Sequence, residues 1–459
     1  MFAVRSQRDE MKGSRMFREE IENNIEQRKW AELRQTLAAQ PFSEVADLLL
    51  EQPPHRRALL FRALRREQAA DVFAYLDAEN QNELLRDLTD EETRQVLVDM
   101  SPDDRTQVFG ELPGEATQKL LNLLPPGERA EVRGLLGYPE ESVGRSMTPD
   151  YVAVRPQWTI GRALEHVRRM GIDRETVNWL YVTDERWNLL DALTLRAFIV
   201  ADPEKTVEEI MDHRFISVPA AADREEAVRT IQRHDLEAVP VVDSEGVLVG
   251  IVTVDDVLDI AEKEATEDFH LYSAVQPLDR SYRESGTLSL FGKRVPWLLA
   301  LIGVGLVSSG VIEAFEATLE AAIALAFFIP LLIDSGGNTG SQSATLMVRA
   351  IATGDLKLRQ WGRALGKELA VGISLGLALG LATAVLGFFR GGAEIGLIVG
   401  LTMVAIVLTA NMIGALLPFL LTKLKLDPAV ASAPLITTVV DATGLLIYFS
   451  IATVTLEIV

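Results

Sequence analysis

The sequence predicts a multi-domain chain: an all-α superhelical N-domain, a duplicated α/β unit, a connecting helix and an α-helical membrane domain with five spans. Three observations carry that prediction. The 459 residues hold 45 Lys+Arg and 66 Asp+Glu, a net charge of −21, but the charge is unevenly placed. Residues 1–292 contain 35 basic and 56 acidic side chains, whereas residues 293–459 contain ten of each. A twelve-residue repeat runs through 60–124 and a 64-residue duplication through 142–262; beyond residue 293 long apolar stretches replace both. The acidic excess excludes a nucleic-acid binder with a basic face, because phosphate contacts need clustered cations. It leaves cation handling open.

Residues 1–40 lack an apolar core of about 7–15 residues ending in a small-residue cleavage site, so no signal peptide is expected and the N-terminal part should stay in the cytoplasm. Cysteine is absent, which removes disulfides, Cys-based zinc sites and thiol chemistry.

The N-domain is assigned to 1–141. Leu64, Leu76, Leu88, Met100, Leu112 and Leu124 form one series at twelve-residue steps. Leu60, Val72, Leu84, Val96, Val108 and Leu120 form a second, and Phe61, Phe73, Leu85, Leu97, Phe109 and Leu121 a third. Offsets of zero, one and four share one helix face, which predicts a stack of short helices. Thr89 with Glu92 and Ser101 with Asp104 read as capping boxes, and Pro113 and Pro125 keep the same step.

Two α/β copies follow, at 142–205 and 206–262. Met147, Val154, Ala163, Leu164 and Val167 are matched 64 positions later by Met211, Val218, Ala227, Val228 and Ile231. The second copy reads AVPVVDSEGVLVGIVTVDD (238–256), two β-branched strands around a Ser-Glu-Gly turn. It resembles a CBS-domain pair, a module that forms a pseudo-symmetric α/β sandwich and often binds adenine nucleotides. In GIVTVDD (250–256), Thr253 and Asp256 could bond a ribose; the first copy, DALTLRA (191–197), keeps Thr194 but has Ala197 in place of the acid. At most one ATP-type site per chain is expected.

A connecting helix is assigned to 263–292 and the membrane domain to 293–459. Apolar stretches cover 295–312, 321–333, 369–389, 395–422 and 428–456. At a 1.5 Å rise four of them can cross a ~30 Å hydrocarbon core. The second has 13 residues and needs shielded flanks. Counting it as a span gives a consistent orientation. Arg349, Lys357, Arg359, Arg363 and Lys367 lie between spans two and three, and Lys423 and Lys425 between four and five. The other connections hold only Arg390. Positive loops inside put the N-terminus in the cytoplasm and the C-terminus outside, in a multi-pass protein of the cell membrane.

Asp441 lies near the middle of the fifth span, in PLITTVVDATGLLIYF (434–449), where an ionised side chain costs roughly 2.5–3.5 kcal/mol. The apolar stretches supply no Lys or Arg to offset that cost. A cation in a water-filled path is the better explanation; a protonated or helix-bonded aspartate is the alternative. Thr437 sits one turn earlier on the same face, and Pro434 is expected to free the Val430 carbonyl unless it merely kinks the helix. Mg²⁺ suits such a place, since it takes one or two carboxylates and retains waters. Two subunits would bring two copies of Asp441 to one axis.

The short second span runs into a Gly-interrupted segment, read as irregular backbone facing water or protein. Here PLLIDSGGNTGSQSATLMVRAIATGDL (330–356) and NMIGALLPFLLTKLKLDPAVASAPLITTVVDATGLLIYF (411–449) resemble the signature stretches of the MgtE family of magnesium channels, and the order of domains matches as well. The resemblance implies a homodimeric Mg²⁺ channel lined by the second and fifth spans and closed by cytosolic Mg²⁺. The family's pore aspartate falls on Asp441 and the acid of its DPA segment on Asp427; Ala433 stands where many members have a polar residue or glycine. It also implies regulatory acids at Glu67, Asp99 and Asp103 in the N-domain and at Asp223, Glu225 and Asp235 in the second CBS copy. Independently, Asp256, Asp259, Glu264, Glu267 and Asp268 place like charges at helical spacings with Lys263 the one cation among them, so that segment gains from divalent ions.

No catalytic constellation is present: the five His lie before residue 293 without metal-pair spacing, and no phosphate loop occurs, so an enzyme is not expected. Transport is then passive or driven by the membrane potential, which favours entry of a divalent cation by roughly 4.6 kcal/mol per 100 mV. The alternative is a CBS-regulated secondary transporter of another divalent cation or an organic solute.

Overall fold

The computed structural model describes residues 21, 23, 24, 27, 29–112, 114–278, 282 and 285–456. It divides into two compact units, Met1–Glu262 and Lys263–Val459.

In the first unit, nine helices of nine or ten residues occur in series among the described residues. They are Trp30–Ala38, Phe42–Glu51, Pro54–Ala63, Arg66–Ala74, Ala78–Asp87, Asp90–Asp99, Pro102–Glu111, Gly114–Leu123 and Pro126–Leu135 (α1–α9). One helix and its joint fill one twelve-residue period. Leu64, Leu88, Met100 and Leu112 sit at joints with extended backbone, ψ 156, 151, 153 and 145°. Leu64, Leu88 and Met100 are buried, so the residue that ends a helix also anchors its joint in the core. Both halves of the Thr89–Glu92 capping box form. Ser101 accepts the Asp104 amide at 3.4 Å, but the shorter Asp104 side chain does not complete the box. Pro125 precedes α9 on schedule, and Pro113 lies outside the described residues.

A second period, of 24 residues, is superimposed. Arg57, Gln81, Arg105 and Arg129 donate to the carbonyls of Leu49, Phe73, Met100 and Leu124 at 3.2, 3.0, 2.9 and 2.7 Å. Helices from α2 onward pack on the helix two places along, consistent with this doubled step.

Each α/β copy has a three-stranded sheet: β1 (Val152–Val154), β2 (Trp179–Thr183) and β3 (Leu189–Thr194), then β4 (Val218–Pro219), β5 (Ala238–Val242) and β6 (Leu248–Thr253). In both, the first pair is parallel and the second antiparallel, with a register shift at Val182/Thr183 and at Val241/Val242. Helices α10 (Ile160–Met170) and α12 (Arg224–His234) bury Ile160, Ala163 and Val167, and Ala227, Val228 and Ile231; the short α11 (Leu195–Val200) lies between them in sequence. The leading segments cross over. Met147, which opens the first copy, is buried in the core of the second, while Met211 packs on the core of the first. Thr148 and Ile251 exchange two backbone hydrogen bonds of 2.9 Å.

Helix α13 (Val254–Tyr272) ends well before the expected limit of the connecting helix, and α14 (Thr287–Ala314) starts anew and continues as the first apolar segment. After α15 (Glu316–Ala321) and a 3₁₀ turn, Ile323–Phe328, helix α16 (Ile329–Ala352) passes through the glycine segment without a break. The expected irregular backbone is therefore absent there. Those glycines serve packing: a Cβ on Gly336 would meet Ile406 at 2.5 Å and one on Gly337 would meet Thr437 at 2.8 Å.

Helix α17 (Trp361–Lys423) folds back at Gly392, φ 83° and ψ −173°, a conformation that favours glycine. Its arms run antiparallel, Gly387 beside Gly396 and Gly380 beside the Gly400 carbonyl. Four helices are long and apolar enough to cross a membrane. The fold in α17 divides one of them, giving five apolar helical segments for the five apolar stretches.

The last, α18 (Ala433–Thr455), begins one residue before Pro434. The proline thus lies in the first turn, where its missing N–H costs no bond. The Val430 carbonyl accepts the Ser432 amide at 2.6 Å, so it is not free as expected.

Candidate functional site

Two groups of polar side chains stand out, one in each unit. In the second unit, α16 and α18 pack antiparallel through small residues. Gly337 faces Thr437, and Gly444 faces Ile333. On α16, Asp334, Asn338, Ser341 and Thr345 follow a four-three-four spacing and make one polar stripe. Asn338 donates to Asp334 at 3.2 Å, and the Ser341 and Thr437 hydroxyls are 3.4 Å apart. Thr437 donates to the Ala433 carbonyl at 2.9 Å. One turn on, Asp441 has a buried carboxylate oxygen with no hydrogen-bond partner. The group whose field acts on it is Asp334, another acid. Like charges facing across apolar helices call for a cation.

At the end of α13, Tyr272 donates to the Ser341 carbonyl at 2.9 Å and meets the Thr345 hydroxyl. Asp268 is pushed up to about 6, by burial first and then by the charges of Asp427, Glu264 and Glu267. Asp427 also caps the 3₁₀ turn Pro428–Val430, accepting the Ala429 amide at 2.7 Å.

In the first unit, Asp103 of α7 and Asp256 of α13 bring their carboxyls within hydrogen-bonding reach. Burial pushes both well above the usual carboxylate range, and the Asp103 charge raises Asp256 further. Asp103 is 8% exposed, with one oxygen unpartnered. Asp104 is raised to about 6 by burial, then by Asp103 and, less, by Asp259. Glu175 is raised to about 7 by burial, then by Asp103 and Asp255. Among the described residues no three acids or histidines close around one metal position. A carboxylate pair with water-filled remaining positions is nevertheless a donor set that Mg²⁺ accepts.

Of the other expected regulatory acids, three are engaged by protein groups. Asp99 takes two hydrogen bonds from Arg66, at 2.6 and 2.8 Å. Asp223 caps α12 through the Glu225 amide, and Glu225 pairs with Arg229 at 2.8 Å. Asp235 ends α12 in the left-handed region, φ 52°. The Glu67 side chain lies outside the described residues. Thr253 donates to Asp256 at 2.6 Å, so the expected ribose pair is engaged with itself and with Asp103. A separate groove is lined by Asn178, Trp179, Thr194, Arg196, Asp235 and Glu237. Sequence reasoning missed Asp104, Glu175 and the α16 stripe; the four-three-four spacing was the available signal for the stripe.

Apolar helices that carry a polar stripe and an acid with a buried, unpartnered oxygen, in a chain that also holds a CBS-type pair, define a multi-pass membrane protein of the transporter class. Residues 329–451 match the MgtE divalent cation transporter family, 40–141 the MgtE intracellular N domain and 207–263 the CBS domain. The magnesium transporter MgtE of Thermus thermophilus is 46% identical over 328 residues, 72% of this chain and 73% of that one. Its Bacillus subtilis counterpart is 36% identical over 323 residues, 70% and 71% of the two chains. The crystal structure of the cytosolic domain of the Mg²⁺ channel MgtE in complex with ATP aligns with a TM-score of 0.51 at 37% identity, covering 52% of this chain and 98% of that one. The chain belongs to the MgtE family.

Proposed function

We propose that the protein is a homodimeric Mg²⁺-selective channel of the cell membrane, importing Mg²⁺ down its electrochemical gradient and closed when Mg²⁺ binds the acids of the N-domain, CBS pair and connecting helix. Its five spans put the N-terminus in the cytoplasm and the C-terminus outside. The carrying observation is Asp441: a half-buried carboxylate on an apolar helix, one oxygen of which is buried without a partner, with a second acid, Asp334, close enough to act on it. A hydrated Mg²⁺ in a path along Asp441, Thr437 and the α16 stripe offsets both charges. The apolar spans offer no cation for an organic anion, which leaves secondary transport of such a solute without support.

Mg²⁺ uptake into proteoliposomes tests the reading. Asp441→Ala should lower flux by at least about tenfold, the scale of losing ~1.4 kcal/mol of ion stabilisation. Undiminished flux would remove Asp441 from the path. ATP is proposed to bind, with Mg²⁺, the groove containing Thr194 and Arg196, since Thr253 and Asp256 already engage one another. Arg196→Ala should then weaken ATP binding by about tenfold, the scale of one charge-assisted contact, while Thr253→Ala leaves it unchanged; calorimetry on the purified protein reads both.

A further inference from the structure

The membrane half contains a second acid in its interior, Glu368 in the first arm of α17, only 6% exposed. Its Oε2 accepts from the Ser343 hydroxyl of α16 at 3.0 Å and from the Asn411 amide of the returning α17 arm at 2.9 Å. The same Asn411 nitrogen donates to the Glu368 main-chain carbonyl at 2.7 Å. Ser343 and Asn411 are each 2% exposed. One carboxylate oxygen thus ties three helical segments at one level, where water is excluded and a lost partner strands two buried donors.

The place of Ser343 gives the tie its meaning. At about 100° per residue, Ser343 lies about 160° around α16 from Ser341 and Thr345, and directly opposite Asp334. The back of the helix is held by Glu368, while its front carries the polar stripe and receives Tyr272. Any roll of α16 swings the stripe, and Glu368 opposes that roll.

We propose that Glu368 is a positioning residue for ion passage: gripping Ser343 and Asn411, it fixes the roll of α16 and so the direction in which Asp334, Asn338 and Ser341 face. The role in passage rests on the channel reading; the roll itself does not. Because the chain has no cysteine, Asn338→Cys gives one thiol whose labelling rate by a membrane-impermeant maleimide reports the roll. In full-length protein of normal gel-filtration profile, Glu368→Ala should change that rate and lower Mg²⁺ flux by about five- to tenfold, the size of a coupling carried through one packed helix. Glu368→Gln keeps an acceptor oxygen for both donors and should restore both readings to within about twofold. Ser343→Ala, which removes one donor, should shift labelling in the same direction by a smaller factor and serves if Glu368→Ala does not fold. Labelling unchanged in Glu368→Ala or, where that variant does not fold, in Ser343→Ala overturns the proposal, as does a glutamine variant that fails to rescue. If Asp441→Ala still conducts, the channel reading falls while the labelling comparison continues to decide the role of Glu368.

Discussion

Glu175 and Asp104 hold carboxyls raised to about 7 and about 6 by burial and by the neighbouring Asp103. A native carboxyl titrating above its unfolded value binds an extra proton in the folded state, so its stabilisation is complete at low pH and is lost as pH rises through the native value. In EDTA the N-terminal unit should therefore loosen as pH rises through about 6 to 7. Limited proteolysis of the full chain reads this: cleavage within residues 1–262 should accelerate across that window, and Glu175→Gln should flatten the rise. A pH-independent rate would exclude a proton-coupled acid cluster. Asp103 and Asp256 were legible as candidates because each lies in a recognisable segment, a repeat helix and the end of a CBS strand. Glu175 was not, since it sits on a loop between α10 and β2 and acquires neighbours only through folding. Asp99 was legible as a candidate acid, but sequence cannot reveal that Arg66 claims it from 33 residues away.

Glycine at the helix level gives a sharp contrast. A Cβ at Gly414 would lie 2.1 Å from the Gly340 carbonyl oxygen, backbone against backbone, whereas one at Gly310 would meet nothing within 4 Å. Gly414→Ala should force α16 and α17 apart and reduce the monodisperse yield in gel filtration severalfold. Gly310→Ala should be silent or slightly stabilising, since alanine is favoured over glycine in a helix by about 1 kcal/mol. Equal yields from the two variants would refute this account of the packing. The same contrast explains an error of sequence reading. The Gly-Gly in 329–345 suggested broken helix, because glycine more often marks a turn than a contact; here the contact partners are remote, on α17 and α18. The repeat helices were read correctly because their signal is local and recurs six times. Glu368 escaped notice because it directly precedes an apolar stretch and so looks like an interfacial flank rather than an interior group.

For the molecule as a whole, a part of the acidic excess in residues 1–292 is buried as raised carboxyls rather than spread over the surface. Millimolar Mg²⁺ should accordingly slow proteolysis of residues 1–262, and NaCl of equal ionic strength should not. Equal protection by the two salts would leave general screening as the cause. The crossed leading segments bear on how such an effect spreads. With Met147 lodged in the second copy and Met211 against the first, neither duplicate owns all the side chains of its own interior. A cut in the linker before Met211 would yield two fragments, each missing a piece that the other holds. The two halves of the duplication therefore lack autonomy, and they are expected to unfold as one unit.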